Sequence, residues 1–243
     1  MHVLVTRPEP DAAGLKARLE AMGHRVSLAP LLSIEFETRE PIRLDAVQAL
    51  IATSRNALES LARSSSLGEA VALPLFAVGP ATAAQARGLG FARVHGGPGS
   101  ARDLVPLIAA NASPADGDLL HIAGDRLAFD LKAALEPRGL TVRHQVVYRS
   151  RAAESLEPRV ADAIRIGSLG GVIVMSPRTA TIFAALAAKA GVAEASSRLT
   201  FFCLSEAVAR ELAPLMPRTV KLARAPNSEE MLALLARVAP ESA

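Results

Sequence analysis

Leu15-Lys16-Ala17-Arg18-Leu19-Glu20-Ala21-Met22-Gly23-His24-Arg25-Val26 returns without a gap as Leu131-Lys132-Ala133-Ala134-Leu135-Glu136-Pro137-Arg138-Gly139-Leu140-Thr141-Val142, with seven of twelve positions identical. Three shorter echoes accompany it. Ser54-Arg55-Asn56-Ala57 matches Ser176-Pro177-Arg178-Thr179, Phe76-Ala77-Val78-Gly79-Pro80-Ala81 matches Phe202-Cys203-Leu204-Ser205-Glu206-Ala207, and Pro98-Gly99-Ser100 matches Pro226-Asn227-Ser228. The order differs between the copies. In one, the Leu-Lys-Ala unit closes the set, near 119–142; in the other it opens the set, near 3–26, and its companions wait until after 170. Rotated order of this kind points to two similar lobes, one inserted into the other, with the chain crossing between them twice. Lobe 1 is expected over 1–35 plus 150–243 and lobe 2 over 38–145, with crossings at about 28–38 and 142–151. Two lobes and two crossings make a cleft, where ligands bind. Any two strand–helix units share some Leu, Ala and Gly spacing, so order weighs as much as identity in this reading.

Length and composition allow it. A chain of 243 residues holds one large domain or two of ordinary size, and half of its residues are apolar. Only 3% are aromatic, with no Trp and one Tyr, so the cores must be packed from Ala, Leu and Val. Formal charge is +3, and the arginines are scattered rather than striped. That argues against a nucleic-acid surface and leaves room for a small anionic ligand held by local donors. The single cysteine, Cys203, excludes an intrachain disulfide and a cysteine-based zinc site; in its apolar run it reads as a buried thiol. Met1–Thr6 is too short an apolar run for a signal peptide, and no stretch approaches the ~18 apolar residues of a membrane span. The expectation is a soluble, cytoplasmic protein with no membrane partner.

Short β-rich runs occur at Val3–Thr6, Ala49–Thr53, Leu75–Val78, Leu119–Ile122, Gly171–Met175, Thr200–Leu204 and Val220–Leu222. Most lead through a turn cluster into an Ala/Leu/Arg segment of helical spacing, such as 56–63, 81–88, 128–138 and 179–189. Repeated strand–helix alternation predicts an α/β fold: two flavodoxin-like open parallel-sheet lobes, one of them discontinuous. Leu28–Thr38 and Val142–Arg151 break the pattern. They read as the two crossings, paired as an antiparallel β-ribbon, because such pairing satisfies their backbone groups.

The strand-to-helix junctions share small or hydroxyl residues: Thr6-Arg7, Thr53-Ser54, Gly79-Pro80-Ala81-Thr82, Gly99-Ser100, Gly124-Asp125, Ser176-Pro177, Ser205-Glu206 and Asn227-Ser228. In an open α/β sheet these lie at the carboxyl edge of the strands, where helix N–H groups bind anions. Ser, Thr and Asn are also simply favoured N-caps, so the functional reading rests on the number of junctions. A ligand with several carboxylates would suit them. Nucleotide fingerprints of the G-x-G-x-x-G or G-x-x-x-x-G-K kind are absent. His2, His24, His95, His121 and His144 lack metal-ligand spacing, so no metal and no cofactor are expected. Tyr148 sits on the return crossing; alternation leaves open whether its ring packs the ribbon or serves a site.

At these residues the chain resembles the uroporphyrinogen-III synthase family over nearly its whole length. The motifs are Val5-Thr6-Arg7-Pro8, Thr53-Ser54-Arg55-Asn56-Ala57, Ala77-Val78-Gly79-Pro80-Ala81-Thr82-Ala83, Gly124-Asp125-Arg126, Val147-Tyr148 and Ser176-Pro177-Arg178-Thr179. The chain departs from the family pattern at Leu204-Ser205-Glu206-Ala207-Val208, where a Gly and a Thr are usual and Ser205 takes their place. The resemblance implies two α/β lobes joined by a two-stranded ribbon. It also implies closure of a linear tetrapyrrole, hydroxymethylbilane, to uroporphyrinogen III, with loss of water and inversion of the last ring, in haem biosynthesis. The eight carboxylates of that substrate would suit helix N-termini. On this reading Tyr148 is the catalytic candidate, assisting departure of the hydroxyl, and Arg7, Ser54, Gly79, Thr82, Gly124, Ser176 and Ser205 are the substrate-binding candidates. A monomer is expected. The alternative is a non-enzymatic two-lobe binding or sensing module for a polycarboxylate small molecule; the lack of a secretion signal and of a helix-turn-helix weighs against its commonest forms.

Overall fold

The computed structural model describes residues 1–8, 11–37 and 40–238. Eleven strands lie among them: β1 His2–Val5, β2 Arg25–Leu28, β3 Leu32–Phe36, β4 Val47–Ala52, β5 Leu75–Ala77, β6 Val94–Gly96, β7 Asp118–Gly124, β8 Val142–Ala152, β9 Gly171–Val174, β10 Thr200–Cys203 and β11 Thr219–Leu222. The α-helices are α1 Asp11–Ala21, α2 Arg55–Ala62, α3 Leu67–Ala70, α4 Pro80–Gly88, α5 Ala101–Ala109, α6 Leu131–Leu135, α7 Pro158–Arg165, α8 Pro177–Lys189, α9 Ala193–Ser196, α10 Glu206–Arg210 and α11 Ser228–Leu235. The chain divides into two compact units, Met1–Ser33 with Arg151–Ala243, and Ile34–Ser150.

The first unit is built on a sheet of order β11-β10-β9-β1-β2, all pairs parallel. Successive residues of its strands face opposite sides. Leu4, Val172, Val174, Phe201 and Cys203 pack under α7 and α8, while Val3, Val5, Ile173 and Phe202 pack under α1 and α11. The second unit has the order β3-β8-β7-β4-β5-β6. Leu50, Ala52, Leu120, Ile122 and Val147 face α2 and α4, whereas Ala49, Ile51, Leu119 and Val142 face α5 and α6.

The register carries the internal repeat residue by residue. Val3 pairs with Val26 as Leu119 pairs with Val142. Ile51 pairs with Phe76 as Ile173 pairs with Phe202. Leu4 pairs with Val172 as Leu120 pairs with Leu50. Each partner is the one that the ungapped sequence echoes assign. Read as β2-β1-β9-β10-β11 and β8-β7-β4-β5-β6, the two sheets are therefore the same five-stranded open sheet, with β3 added at the edge of the second.

β3 and β8 are the two crossings. Glu37 donates its N–H to the carbonyl of Val147 at 2.9 Å and Ala153 donates to Leu31 at 3.0 Å. Moving forward from Leu31 to Glu37 moves the partner backward from Ala153 to Val147, which is the antiparallel pattern.

Two differences from the sequence expectation have plain causes. β2 (Arg-Val-Ser-Leu) and β6 (Val-His-Gly) carry no apolar run of their own; each stands at an edge of its sheet and is at most partly buried, so its place is set by pairing with the neighbouring strand. The helix expected over 128–138 starts at Leu131, where Asp130 caps it by accepting from the Ala133 N–H, and it ends as a 3-10 turn, Glu136–Arg138. Pro137 lacks an N–H and cannot continue an α-helix there.

Candidate active site

Because the five repeated strands of each sheet are parallel, their carboxyl ends collect at one edge of that sheet. In the second unit this edge carries Ser54, Gly79, Thr82, Gly124 and Tyr148; in the first it carries Arg7, Ser176 and Ser205. All the candidates thus sit at a carboxyl edge, divided between the two units.

Several are committed locally. The Ser54 hydroxyl caps α2 by accepting from the Asn56 N–H at 3.1 Å. Ser176 caps α8, accepting from the Thr179 N–H at 3.1 Å, and its hydroxyl bonds the Thr179 hydroxyl at 2.8 Å. Arg7 holds the Asp11 carboxylate at 2.6 Å. Thr6 donates to the Ile173 carbonyl at 2.8 Å and is buried, so it pins β1 to β9 rather than facing a ligand.

Gly79 and Ser205 behave differently. They are equivalent positions of the repeat, and neither caps its helix with a side chain. A helix without a side-chain cap leaves first-turn N–H groups for another acceptor. At Gly79 the reason is steric: a Cβ there would stand 3.3 Å from the Gly99 Cα, so the turn from β5 into α4 nests against the loop after β6. Thr82 lies in the first turn of α4 and is buried.

Tyr148 is placed by a β-bulge. Ala123 pairs with Val146, but Gly124 pairs with Tyr148, so Val147 is an extra residue on β8. Without the bulge, Tyr148 would follow Val142, His144 and Val146 onto the α5/α6 face. One inserted residue flips the later residues of its strand to the other face. Val147 and Tyr148 accordingly pack on the same side, against the cluster shared with α2 and α4. The half-buried ring lies over Gly124, where a Cβ would stand only 2.7 Å from two of its carbons.

His121 on β7 is buried on the other face, its Nε2 2.9 Å from the Thr53 hydroxyl and its ring 5.6 Å from that of His144. Burial first, and His144 second, lower its pKa to about 4, so it is a neutral imidazole bracing the Thr53-Ser54 turn. The buried Cys203 thiol is pushed up to about 12 by desolvation, which makes it a poor nucleophile. Among the described residues no cluster of His, Cys, Asp or Glu could hold a metal ion.

A cavity of about 550 Å³ opens beside β8 in the second unit, lined by Glu37, Glu40, Arg43, Arg143, Gln145 and Arg149 among others. It holds none of the candidate residues. At its wall Arg143 pairs with Asp118 at 3.1 Å and donates to the Asp45 carbonyl, and the Gln145 side chain accepts from the Arg43 N–H and donates to the Pro41 carbonyl.

Comparison with known proteins bears on this edge. A family model described as uroporphyrinogen-III synthase HemD matches residues 13–233. The chain belongs to the uroporphyrinogen-III synthase family. Among solved structures, uroporphyrinogen-III synthetase from Helicobacter pylori superposes with a TM-score of 0.65 at 18% identity, over 96% of this chain and 97% of that one. A mutant uroporphyrinogen III synthase from the extremely thermophilic bacterium Thermus thermophilus gives 0.58 at 20% identity, over 97% and 96%. At such identities the likeness speaks for the fold. No curated protein sequence matches the chain. As a family member the chain is a cyclising hydro-lyase of haem biosynthesis that converts hydroxymethylbilane to uroporphyrinogen III, and none of these matches favours a non-catalytic binding module.

Sequence reasoning missed how Tyr148 is held. The bulge, the buried Ser60 beneath it and the bare Gly124 opposite come from three separate segments. The only local signal was Gly124 itself, a glycine closing an apolar strand.

Proposed function

We propose that the synthase chemistry uses the carboxyl edge of the second unit, with Tyr148 as the hydrogen-bond donor to the departing hydroxyl of hydroxymethylbilane. The hydroxyl leaves as water, and the substituted carbon of the terminal ring attacks the freed carbon to give a spiro intermediate. That intermediate opens and recloses with the ring inverted. The task is conformational as much as electronic, since the unaided substrate cyclises to the uninverted isomer. Positioned donors supply such selectivity at modest cost in machinery.

The observation that carries this reading is the seat of Tyr148. A bulge and a side-chain-free glycine turn the only tyrosine onto the face that holds α2 and α4, whose N-termini are marked by Ser54 and Gly79. Gly79, Thr82 and Gly124 supply a carboxylate-binding edge through the backbone N–H groups of their turns. Arg7, Ser176 and Ser205 supply the corresponding edge of the first unit. The proposed working form is a cytoplasmic monomer, which suits a small diffusible substrate.

Incubation with hydroxymethylbilane, with the product isomers separated by chromatography, tests the reading. The wild-type chain should yield uroporphyrinogen III. Tyr148→Phe keeps the ring and removes the donor; positioned proton donors contribute on the order of 10²-fold or more. Because the leaving group also departs unaided, the expected loss is strong but incomplete, at least about tenfold, with more of the uninverted isomer. A near-normal rate and isomer ratio would leave Tyr148 a packing residue.

A further inference from the structure

Ser60 lies on α2, buried, with its hydroxyl donating to the carbonyl of Val147 at 2.6 Å. Val147 is the extra residue of the bulge. Its carbonyl also accepts the N–H of Glu37, the residue after β3, at 2.9 Å, so two donors from different segments converge on the one peptide of β8 that breaks the register. Immediately after that peptide comes Tyr148, whose carbonyl accepts from the Asp125 N–H at 3.2 Å. On the far side of the ring stands Gly124, with no side chain to displace it. A bulge re-aims the side chain next to it, and bulges in parallel pairs are rare. A hydroxyl that anchors the bulged peptide therefore acts on the direction of the tyrosine.

We infer that Ser60 is a positioning residue for the synthase reaction: through the Val147 carbonyl it sets the bulge that lays the Tyr148 ring on Gly124, and Gly124 completes the seat. This rests on the proposed role of Tyr148. Ser60 itself is enclosed by the α2/α4 cluster and works through the tyrosine. Removing its hydroxyl leaves the Val147 carbonyl with its second donor, Glu37, so no buried acceptor is orphaned and the fold should persist. Gly124→Ala attacks the same seat from the opposite side with every hydrogen bond intact. The backbone there is open to alanine, as Gly124 does not have a positive φ.

The composition provides the test. With one tyrosine in the chain, biosynthetic replacement by 3-fluorotyrosine places a single fluorine label, at Tyr148. Fluorine NMR of the folded protein then reads the ring's surroundings independently of activity. Ser60→Ala and Gly124→Ala should each move or broaden that one resonance. Each should lower kcat by roughly the factor seen for Tyr148→Phe, with KM changed less than twofold. In a double-mutant cycle, Ser60→Ala added to Tyr148→Phe should cost less than about twofold more, because interacting residues are non-additive.

An unmoved resonance in Ser60→Ala overturns the inference. So does a moved resonance whose activity loss multiplies fully with that of Tyr148→Phe, since Ser60 would then act elsewhere. If Tyr148→Phe alone keeps a normal rate while the resonance still shifts in both seat variants, the catalytic reading of Tyr148 has failed rather than the seat, and the positioning role falls with it. Should Ser60→Ala not fold, Ser60→Cys, which fills the same space with a weaker donor, carries the same two readouts.

Discussion

At the scale of single residues, the second unit holds one polar group against its solution preference. His121 is neutral because burial and the nearby His144 lower its pKa to about 4, against an ordinary value of 6.5. Above pH 6.5 the folded and unfolded chains are both neutral at this position. Between about 6.5 and 4 the unfolded chain takes up a proton that the folded chain refuses, so stability falls as pH falls. Below about 4 the folded chain is protonated as well, and this loss levels off. A displacement of that size is worth at most about 3 kcal/mol. Urea unfolding at pH 7 and pH 4.5 should show the wild-type chain losing more stability than His121→Gln over that interval; equal losses would mean that His121 is not the sensitive group. The histidine was legible in the sequence as part of the β-rich run Leu119–Ile122, though not which side of the sheet it takes. The face of Tyr148 was not, because strand alternation is a local rule and the bulge that breaks it depends on Ser60 and Gly124, both distant in sequence.

At the scale of elements, the junctions divide into two kinds that composition alone could not separate. Ser54, Ser100, Ser176 and Asn227 spend a side-chain oxygen on their own helix. Gly79 and Ser205 do not, and they occupy the same position of the repeat. A hydroxyl residue at a helix start looks the same in sequence whether it caps or waits, since the difference is a rotamer and a turn geometry. The two kinds should respond differently to alanine. Ser176→Ala removes a cap and the partner of the Thr179 hydroxyl, and should cost about 1 kcal/mol of stability. Ser205→Ala removes no cap and should cost less than about 0.5 kcal/mol. If Ser205 serves the substrate, its loss shows instead as a raised KM. Chemical unfolding and steady-state kinetics on both variants check this, and equal stability losses would count against the distinction. Central strands were legible at the sequence level because both faces are buried and their apolar runs are continuous. β2 and β6, each at an edge of its sheet, were not, because Arg25-Val26-Ser27-Leu28 and Val94-His95-Gly96 hold no run of apolar residues.

At the scale of the molecule, a rotated repeat becomes a shared sheet order. Two strands that open one sheet, β1 and β2, correspond to two that come last in the other, β7 and β8. Insertion at the ribbon reconciles the two orders, since β3 carries the chain into the second unit and β8 carries it back. The order of echoes along the sequence therefore revealed more than their identity, because connectivity survives where side chains have diverged. It also makes a folding prediction. The segment 34–150 has its own six-stranded sheet with an apolar cluster on each face. It is of ordinary domain length, and its two ends leave from neighbouring strands, as expected of an inserted domain. Produced alone, it should unfold cooperatively in urea and retain near-ultraviolet dichroism from Tyr148. The remainder, 1–33 joined to 151–243 by a short Gly-Ser link, should do the same in far-ultraviolet dichroism, because Leu31 and Ala153 are already hydrogen-bonded and the link spans little. Neither piece should form uroporphyrinogen III, as each carries only part of the candidate set. A non-cooperative transition in 34–150 would mean that its two cores depend on the rest of the chain, and that the repeat records ancestry without independent folding.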